Sequence, residues 1–235
     1  MFKTEFHVHT IFSKDSLLSY WFLLIMLKIK KINTIVITDH NEICGAIKYK
    51  QKMKKYGIEV IVGEEIFTNK GEIIGIGLNK KIESGLTPKE TIRLIKEQNG
   101  LVCVPHPYDE KRFKTVLDIK EIYKNKKNID FIEVHNGRNL KFEFSIKQEE
   151  IAEKYKIKKI IGSDSHTFFE VGRNYIISNK KIVDIDDFKK IDLNFNKKNC
   201  IKFSHKCTKI VRIMKIILGG NINELFRIIN KKCRR

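Results

Sequence analysis

Short strand-like runs alternate with helix-like segments along this chain, and several of the strands end on a histidine or a carboxylate. Strand character is read at residues 2–8, 35–37, 58–62, 72–78, 101–104, 130–134 and 159–161. Helical length or turn spacing is read at residues 17–31, 87–98, 115–124 and 144–155, and in a further helix capped by Asn41 and stopped by Gly57. Thr87-Pro88-Lys89-Glu90 is a strong helix start, with a capping Thr, Pro at the first position and Glu at the third. This alternation predicts an α/β fold with a mainly parallel sheet or barrel. The 235 residues suit one domain of that size or two small ones.

The residues at the strand ends are of metal-binding type. His7-Val8-His9 lies in the first strand, where positions i and i+2 share a face, so both imidazoles should project to one side. Asp164 and His166 repeat that spacing. Between them come Thr38-Asp39-His40, Gly63-Glu64-Glu65 and Pro105-His106-Pro107, so that five of the seven histidines fall in these motifs. Active sites of barrel and open α/β folds lie at the C-terminal strand edge, where these motifs sit. Imidazole and carboxylate ligands without thiolate suit Zn, Mn or Fe. Such ions can acidify a bound water and clamp a phosphoryl group, which is what hydrolysis of a phosphate ester requires.

FHVHTIFSKDS, VITDHNEI, GEEI, VPHPYD, IEVHNGR and GSDSHTFFEVG resemble, in order and spacing, the PHP (polymerase and histidinol phosphatase) family, in its stand-alone phosphoesterase form. The resemblance covers roughly residues 1–180. It implies a distorted seven-stranded βα (TIM-like) barrel with a trinuclear metal centre, filled by two or three divalent ions. It further implies His7, His9, Glu65 and Asp164 as ligands of one part of the centre, with Glu65 bridging. Asp15 and His40 would bind a neighbouring ion, and His106 and His166 would complete the set. Glu72 stands where relatives often place a further ligand. The mechanism expected of such a centre is direct attack on phosphorus by a metal-bridging hydroxide held by His9, Glu65 and Asp164.

Other readings compete at individual positions. Asp15 could cap the following helix, and Glu72 could be an exposed strand residue. Alternation turns Glu64 away from Glu65. Asp39 either orients a ligand histidine by a hydrogen bond or forms a turn. Glu133, His135, Asn136, Arg138 and Arg173 are candidates to line the substrate pocket, the two arginines by facing phosphate, and Glu133 could instead lie close to the metals or face the core as a paired carboxylate. His135 departs from the aromatic or aliphatic residue expected in relatives. Cys200, His205 and Cys207 lack the spacing and the fourth ligand of a zinc site.

The expected substrate is a phosphorylated small molecule or nucleotide, as a mono- or diester. A histidinol-phosphatase-like enzyme or nuclease with the same centre is one alternative. A non-catalytic basic binding module on the same barrel is another, and the complete ligand set argues against it. The net charge of +19, from 47 Lys and Arg against 28 Asp and Glu, adds nucleic acid as an alternative partner; a coding bias toward lysine explains it equally well. The cysteines show no CxxC spacing and no leader segment is apparent, which points to reduced thiols and a cytoplasmic protein. The apolar run at residues 20–27 is too short to span a bilayer and reads as a buried helix, so no membrane contact is expected. Residues 1–200 are assigned to the barrel and 201–235 to a basic extension packed on it, with helices at 207–218 and 221–232.

Overall fold

The computed structural model describes residues 1–218. The helix expected at 221–232 lies outside the described residues. The strands are β1 (Phe2–Val8), β2 (Thr34–Ile37), β3 (Glu59–Thr68), β4 (Gly71–Ile76), β5 (Leu101–Val104), β6 (Phe131–Asn136), β7 (Lys158–Gly162), β8 (Tyr175–Ser178) and β9 (Asn194–Asn196). They form one sheet in the order β7-β6-β5-β4-β3-β2-β1-β8-β9. The helices are α1 (Tyr20–Lys30), α2 (Cys44–Met53), α3 (Pro88–Glu97), α4 (Ile119–Asn125), α5 (Phe142–Tyr155), α6 (Asp187–Lys190) and α7 (Lys202–Leu218).

The first seven strands stand side by side in chain order, and the sheet curls until its ends meet. Ser163 N donates to Phe6 O at 2.8 Å and His9 N to Ser165 O at 2.9 Å. Val8 and Ser165 form a parallel bridge. Closure is incomplete because β8 pairs antiparallel with the first residues of β1, from Phe2↔Ser178 to Thr4↔Ile176. The result is a nearly closed, mixed α/β barrel, seven-stranded and distorted, with β8 and β9 as an outer addition.

The sheet is less parallel than the alternation suggests. Only Asn69 and Lys70 separate β3 from β4. Two residues make a hairpin and cannot make the crossover that a parallel pair needs. β4 is accordingly antiparallel to both β3 and β5.

Helix α3 starts as the sequence predicts. Thr87 Oγ1 accepts from Glu90 N while the Glu90 carboxylate accepts from Thr87 N, a reciprocal cap worth about 1 kcal/mol. Asn41 does not cap α2. Its φ is 52° and its Oδ1 accepts from Phe67 N; Glu42 Oε1 accepts from Ile43 N and Cys44 N instead.

The core lies between the strands and one face of each long helix. Leu23 and Leu27 of α1, Ala46 and Met53 of α2, and Ile95 of α3 are all completely buried. Each large aliphatic side chain buried this way contributes about 1.5–3 kcal/mol. Helix α1 is not the fully buried helix that its composition suggests: Trp21, Phe22, Ile25 and Ile29 face outward. Among the described residues, no helix is long and apolar enough to cross a membrane.

Candidate metal centre

All nine residues expected as ligands come together at one end of the barrel. Glu65 is the hub. Its Oε1 lies 3.3 Å from His7 Nε2 and 3.2 Å from His106 Nε2, and its Oε2 lies 3.3 Å from His9 Nε2 and 3.0 Å from His40 Nδ1. Asp164 Oδ1 lies 3.4 Å from His9 Nε2 and 3.7 Å from His7 Nε2. On one flank, Glu72 approaches His40 and His106 at 3.8 and 3.6 Å. On the other, Asp15 lies 3.3 Å from His166 Nε2 and 3.8 Å from His40 Nε2. His40 and Asp15 keep side-chain exposures of 29% and 25% and mark the mouth; His7, His9, Glu65 and His106 are buried.

Backbone strain helps to aim these side chains. His7, His106 and Asp164 have φ of 65°, 28° and 51°. This left-handed region costs a non-glycine residue roughly 1–2 kcal/mol. His7 and His9 do not converge by flat alternation. The pairing of β1 with β2 shifts register between Glu5 and Val8, and His9 lies just beyond the strand. The two rings still end 5.1 Å apart.

Hydrogen bonds behind the rings set which nitrogen faces the centre. His7 Nδ1 donates to Glu133 Oε1 at 2.8 Å, which turns Nε2 toward Glu65. His166 Nδ1 donates to the Asp164 carbonyl at 2.8 Å, leaving Nε2 toward Asp15. Ser13 Oγ donates to Asp39 Oδ1, accepts from His40 N, and lies 3.1 Å from His9 Nδ1. Asp39 therefore acts on His9 through Ser13, and it also binds Thr10 N and Oγ1. Such outer contacts fix ring orientation in metal sites. Gly162 leaves room for one of them: a Cβ there would collide with the Glu133 carboxylate and crowd His7.

The charges are mutually dependent. Despite burial, His7 and His40 hold Glu65 well below the usual carboxylate range. Despite burial, Glu65, Glu133 and Asp164 raise His7, and Glu65 with Asp15 raises His40 to about 10. Burial and the neighbouring Glu65 push Glu72 up to about 7. Burial lowers His166 to about 4, against the pull of Asp15.

The donors fit divalent ions. Three groups, His9-His40-His166, His7-His9-Glu65 and His40-Glu65-Glu72, each place their ligand atoms within 4.8 Å of one another. Two donors about 2.1 Å from a shared tetrahedral ion stand about 3.4 Å apart, close to the separations around Glu65. His7 Nε2, His9 Nε2 and Asp15 Oδ1 are buried and have no hydrogen-bond partner. Leaving such atoms unsatisfied costs about 1–3 kcal/mol each, a cost that coordination removes. The clusters are consistent with a site for more than one metal.

The pocket-lining candidates divide. Asn136 stands behind the cluster: its Nδ2 donates to Glu133 and its Oδ1 accepts from Arg138 N and Arg112. Glu133 does not face a substrate. Its Oε2 accepts from His106 N and Asn136 while Oε1 holds His7, so both oxygens are committed. His135 turns away, with Ser145 Oγ, Asn174 Oδ1 and the Lys198 carbonyl around its ring; a register shift in the pairing of β6 with β7 sets it apart from Glu133. Arg138 is buried against α7, donating to Thr208 Oγ1 and lying 3.6 Å from Glu170. Arg173 donates to Asn199 O, on the outer side. Neither arginine reaches the centre as a phosphate-facing group.

Arg112 reaches Asp164 at the centre, and sequence reasoning missed it. Its guanidinium donates to Asp164 Oδ2 at 2.6 Å, lies 3.3 Å from Asp109 and reaches Asn136. A second unforeseen residue is Lys215 of α7. Its ammonium donates to the carbonyls of Ile11, Ser13 and Ser16 at 2.9, 2.8 and 2.9 Å, gripping the loop that carries Asp15. Cys200, His205 and Cys207 make no zinc site; His205 Nε2 donates to the Arg138 carbonyl instead.

Comparison with known proteins agrees with this geometry. The family model of the PHP domain matches residues 5–191. Two uncharacterized proteins of Methanocaldococcus jannaschii are similar in sequence. MJ1587 is 44% identical over 116 residues, which span 45% of this chain and 68% of that protein. MJ0417 is 36% identical over 176 residues, spanning 74% and 69%. The fold is similar to that of a two-domain protein of Bacteroides vulgatus containing a predicted PHP-like metal-dependent phosphoesterase, with a TM-score of 0.59 at 19% identity. That match covers 90% of this chain but spans only 63% of the two-domain protein.

Proposed function

The chain belongs to the PHP-domain family, and from this we propose that it is a metal-dependent phosphoesterase that hydrolyses small phosphate mono- or diesters. The observation that supports this reading is the convergence of nine imidazole and carboxylate side chains at one end of the barrel, with the Arg112 guanidinium beside Asp164. His7, His9, Glu65, Asp164 and His106 would hold the inner ions, and Asp15, His40, Glu72 and His166 the outer ones. Two or three divalent ions, Mn, Zn or Fe, would supply Lewis acidity and a nucleophilic water at neutral pH.

The chain's own residues supply the rest. Asp164 and Asp109, outweighing burial, raise the already high pKa of Arg112, so it remains a cation. It can bind phosphoryl oxygens in a fork but cannot act as an acid. Asn136 steadies that fork, and Glu133 steadies His7. The opening at His40 and Asp15 suits entry of a small ester.

The test uses full-length protein loaded with Mn²⁺, Zn²⁺ or Fe²⁺. It is offered an aryl phosphate, nucleoside monophosphates, 3′,5′-bisphosphates, histidinol phosphate, and short RNA or DNA. Turnover of a small ester is expected, and Asp164→Ala or His9→Ala should abolish it while circular dichroism stays native. Absence of turnover on every substrate by metal-loaded protein overturns the reading. Turnover of RNA or DNA alone replaces it with a nuclease.

A further inference from the structure

Helix α1 turns an apolar face outward. Trp21, Phe22, Ile25 and Ile29 are each more than half exposed, and their spacing places them on one helix face. The apolar surface continues off the helix. Phe22 lies 6.5 Å from Phe168 between ring centroids, Phe168 lies 4.0 Å from Phe169, and Phe169 meets Phe203 edge-on at 6.1 Å. Phe203 stands in the first turn of α7, whose Ile210, Met214 and Ile217 are also exposed and follow the helical period. Two helices and the loop after His166 form one ridge. The run at residues 20–27 is still too short to span a bilayer, but the burial expected of it fails on this face, which leaves surface contact with a membrane open to it.

Charge indicates what covers the ridge. Residues 16–38 and 193–218 contain no Asp or Glu, while the first stretch carries three lysines and the second seven Lys or Arg. A second copy of the chain would set like charges against each other at this face. A nucleic acid would engage the lysines and aromatic rings but has no complement for a helical stripe of Ile and Met. An anionic lipid surface complements all three. We propose that the α1–α7 ridge docks the protein on an anionic bilayer. Its apolar side chains would enter the boundary between headgroups and acyl chains, and the flanking lysines would face lipid phosphates.

Trp21 is the single tryptophan of the chain and sits on the ridge, so its fluorescence reports docking directly. The full chain is mixed with vesicles of phosphatidylglycerol and phosphatidylcholine, or of phosphatidylcholine alone. Sedimentation with the anionic vesicles, a blue shift of Trp21 emission and steep weakening by salt are expected, with much less binding to phosphatidylcholine. The triple substitution Phe22→Ser, Ile25→Ser, Ile29→Ser should weaken binding about tenfold or more. Lys202→Ser, Lys206→Ser and Lys209→Ser change only exposed lysines and test the charge independently of folding, each costing about fivefold in affinity. The proposal is overturned by any of four results: no partition onto anionic vesicles; unchanged binding by the lysine variants; a dimer in which Trp21 is already shielded; or a Trp21 shift with short RNA but not with vesicles. None of these results depends on phosphoesterase activity.

Discussion

Glu133 stands directly behind His7, its Oε1 2.8 Å from the ring Nδ1, and that contact decides which nitrogen of His7 faces the centre. Despite burial, His7 holds the Glu133 carboxyl below its usual range, so it stays an acceptor. Glu133→Gln preserves the shape but can present an amide donor, which would favour the wrong tautomer. Metal affinity should fall about 10–100-fold with little change in melting temperature. Metal analysis after dialysis against a graded chelator reads this out; a variant that retains its ions as the parent does contradicts the role assigned to Glu133.

Arg112 connects the loop after His106 to Asp164. Arg112→Ala should lower kcat/KM for a phosphomonoester by about 10–100-fold, mostly through KM, because a charge-assisted fork to the phosphoryl group is lost. Arg112→Lys should recover only part of this, since an ammonium cannot reproduce the fork. Metal content should be unchanged. Equal kinetics in all three proteins would remove Arg112 from substrate binding.

Lys215 ties α7 to three carbonyls of the Asp15 loop. Lys215→Met keeps the stem and removes the donors, at about 1–2 kcal/mol of local stability. Amides of residues 11–16 should then exchange faster with solvent, and the ion held by Asp15 should be the first lost on dialysis. Unchanged exchange in that loop would show that the contact contributes nothing.

Acid should loosen α7 before it unfolds the barrel. Burial, and next the Arg138 charge, lower His205 from 6.5 to about 4, so the folded protein holds it neutral. Between those values the unfolded chain binds more protons than the folded one, so stability falls as pH falls from about 6.5 toward 4. Neutral His205 also accepts from Arg138 while donating to its carbonyl, a pattern that protonation destroys. Hydrogen exchange across residues 202–218 should rise over this range, and His205→Gln should flatten the dependence.

The strands were legible as apolar runs bounded by turn residues, and the seven-stranded barrel followed from the resemblance to the PHP family. The clustering of His7, His9, His40, His106, Asp164 and His166 was legible because these residues stand at strand ends, and the resemblance to the PHP family added Asp15, Glu65 and Glu72. Two strands escaped. β8 is four residues long and β9 is Asn-Phe-Asn, without an apolar pattern of its own and held by pairing with β8. Arg112 and Lys215 escaped because their partners, Asp164 and the Ile11–Ser16 carbonyls, are remote in sequence. Arginines nearer the motifs, Arg138 and Arg173, looked better placed and are used elsewhere. His135 shares its spacing with Glu133, as the members of the other motif pairs share theirs, but the register shift between the two turns it to the opposite side.

The seam of the barrel has a consequence for how the chain reaches this state. One flank of β1 is matched by β2, about thirty residues on, from Thr4↔Thr34. Among the described residues, the other flank finds its backbone hydrogen bonds at Ser163, Ser165 and β8. During synthesis the first strand must therefore remain half-paired until most of the polypeptide has emerged, and closing so long a loop is slow. An ion shared by His9 and Asp164 would span that same seam. The metal centre would then serve as the clasp of the barrel, and its assembly and the final closure of the fold would be a single event.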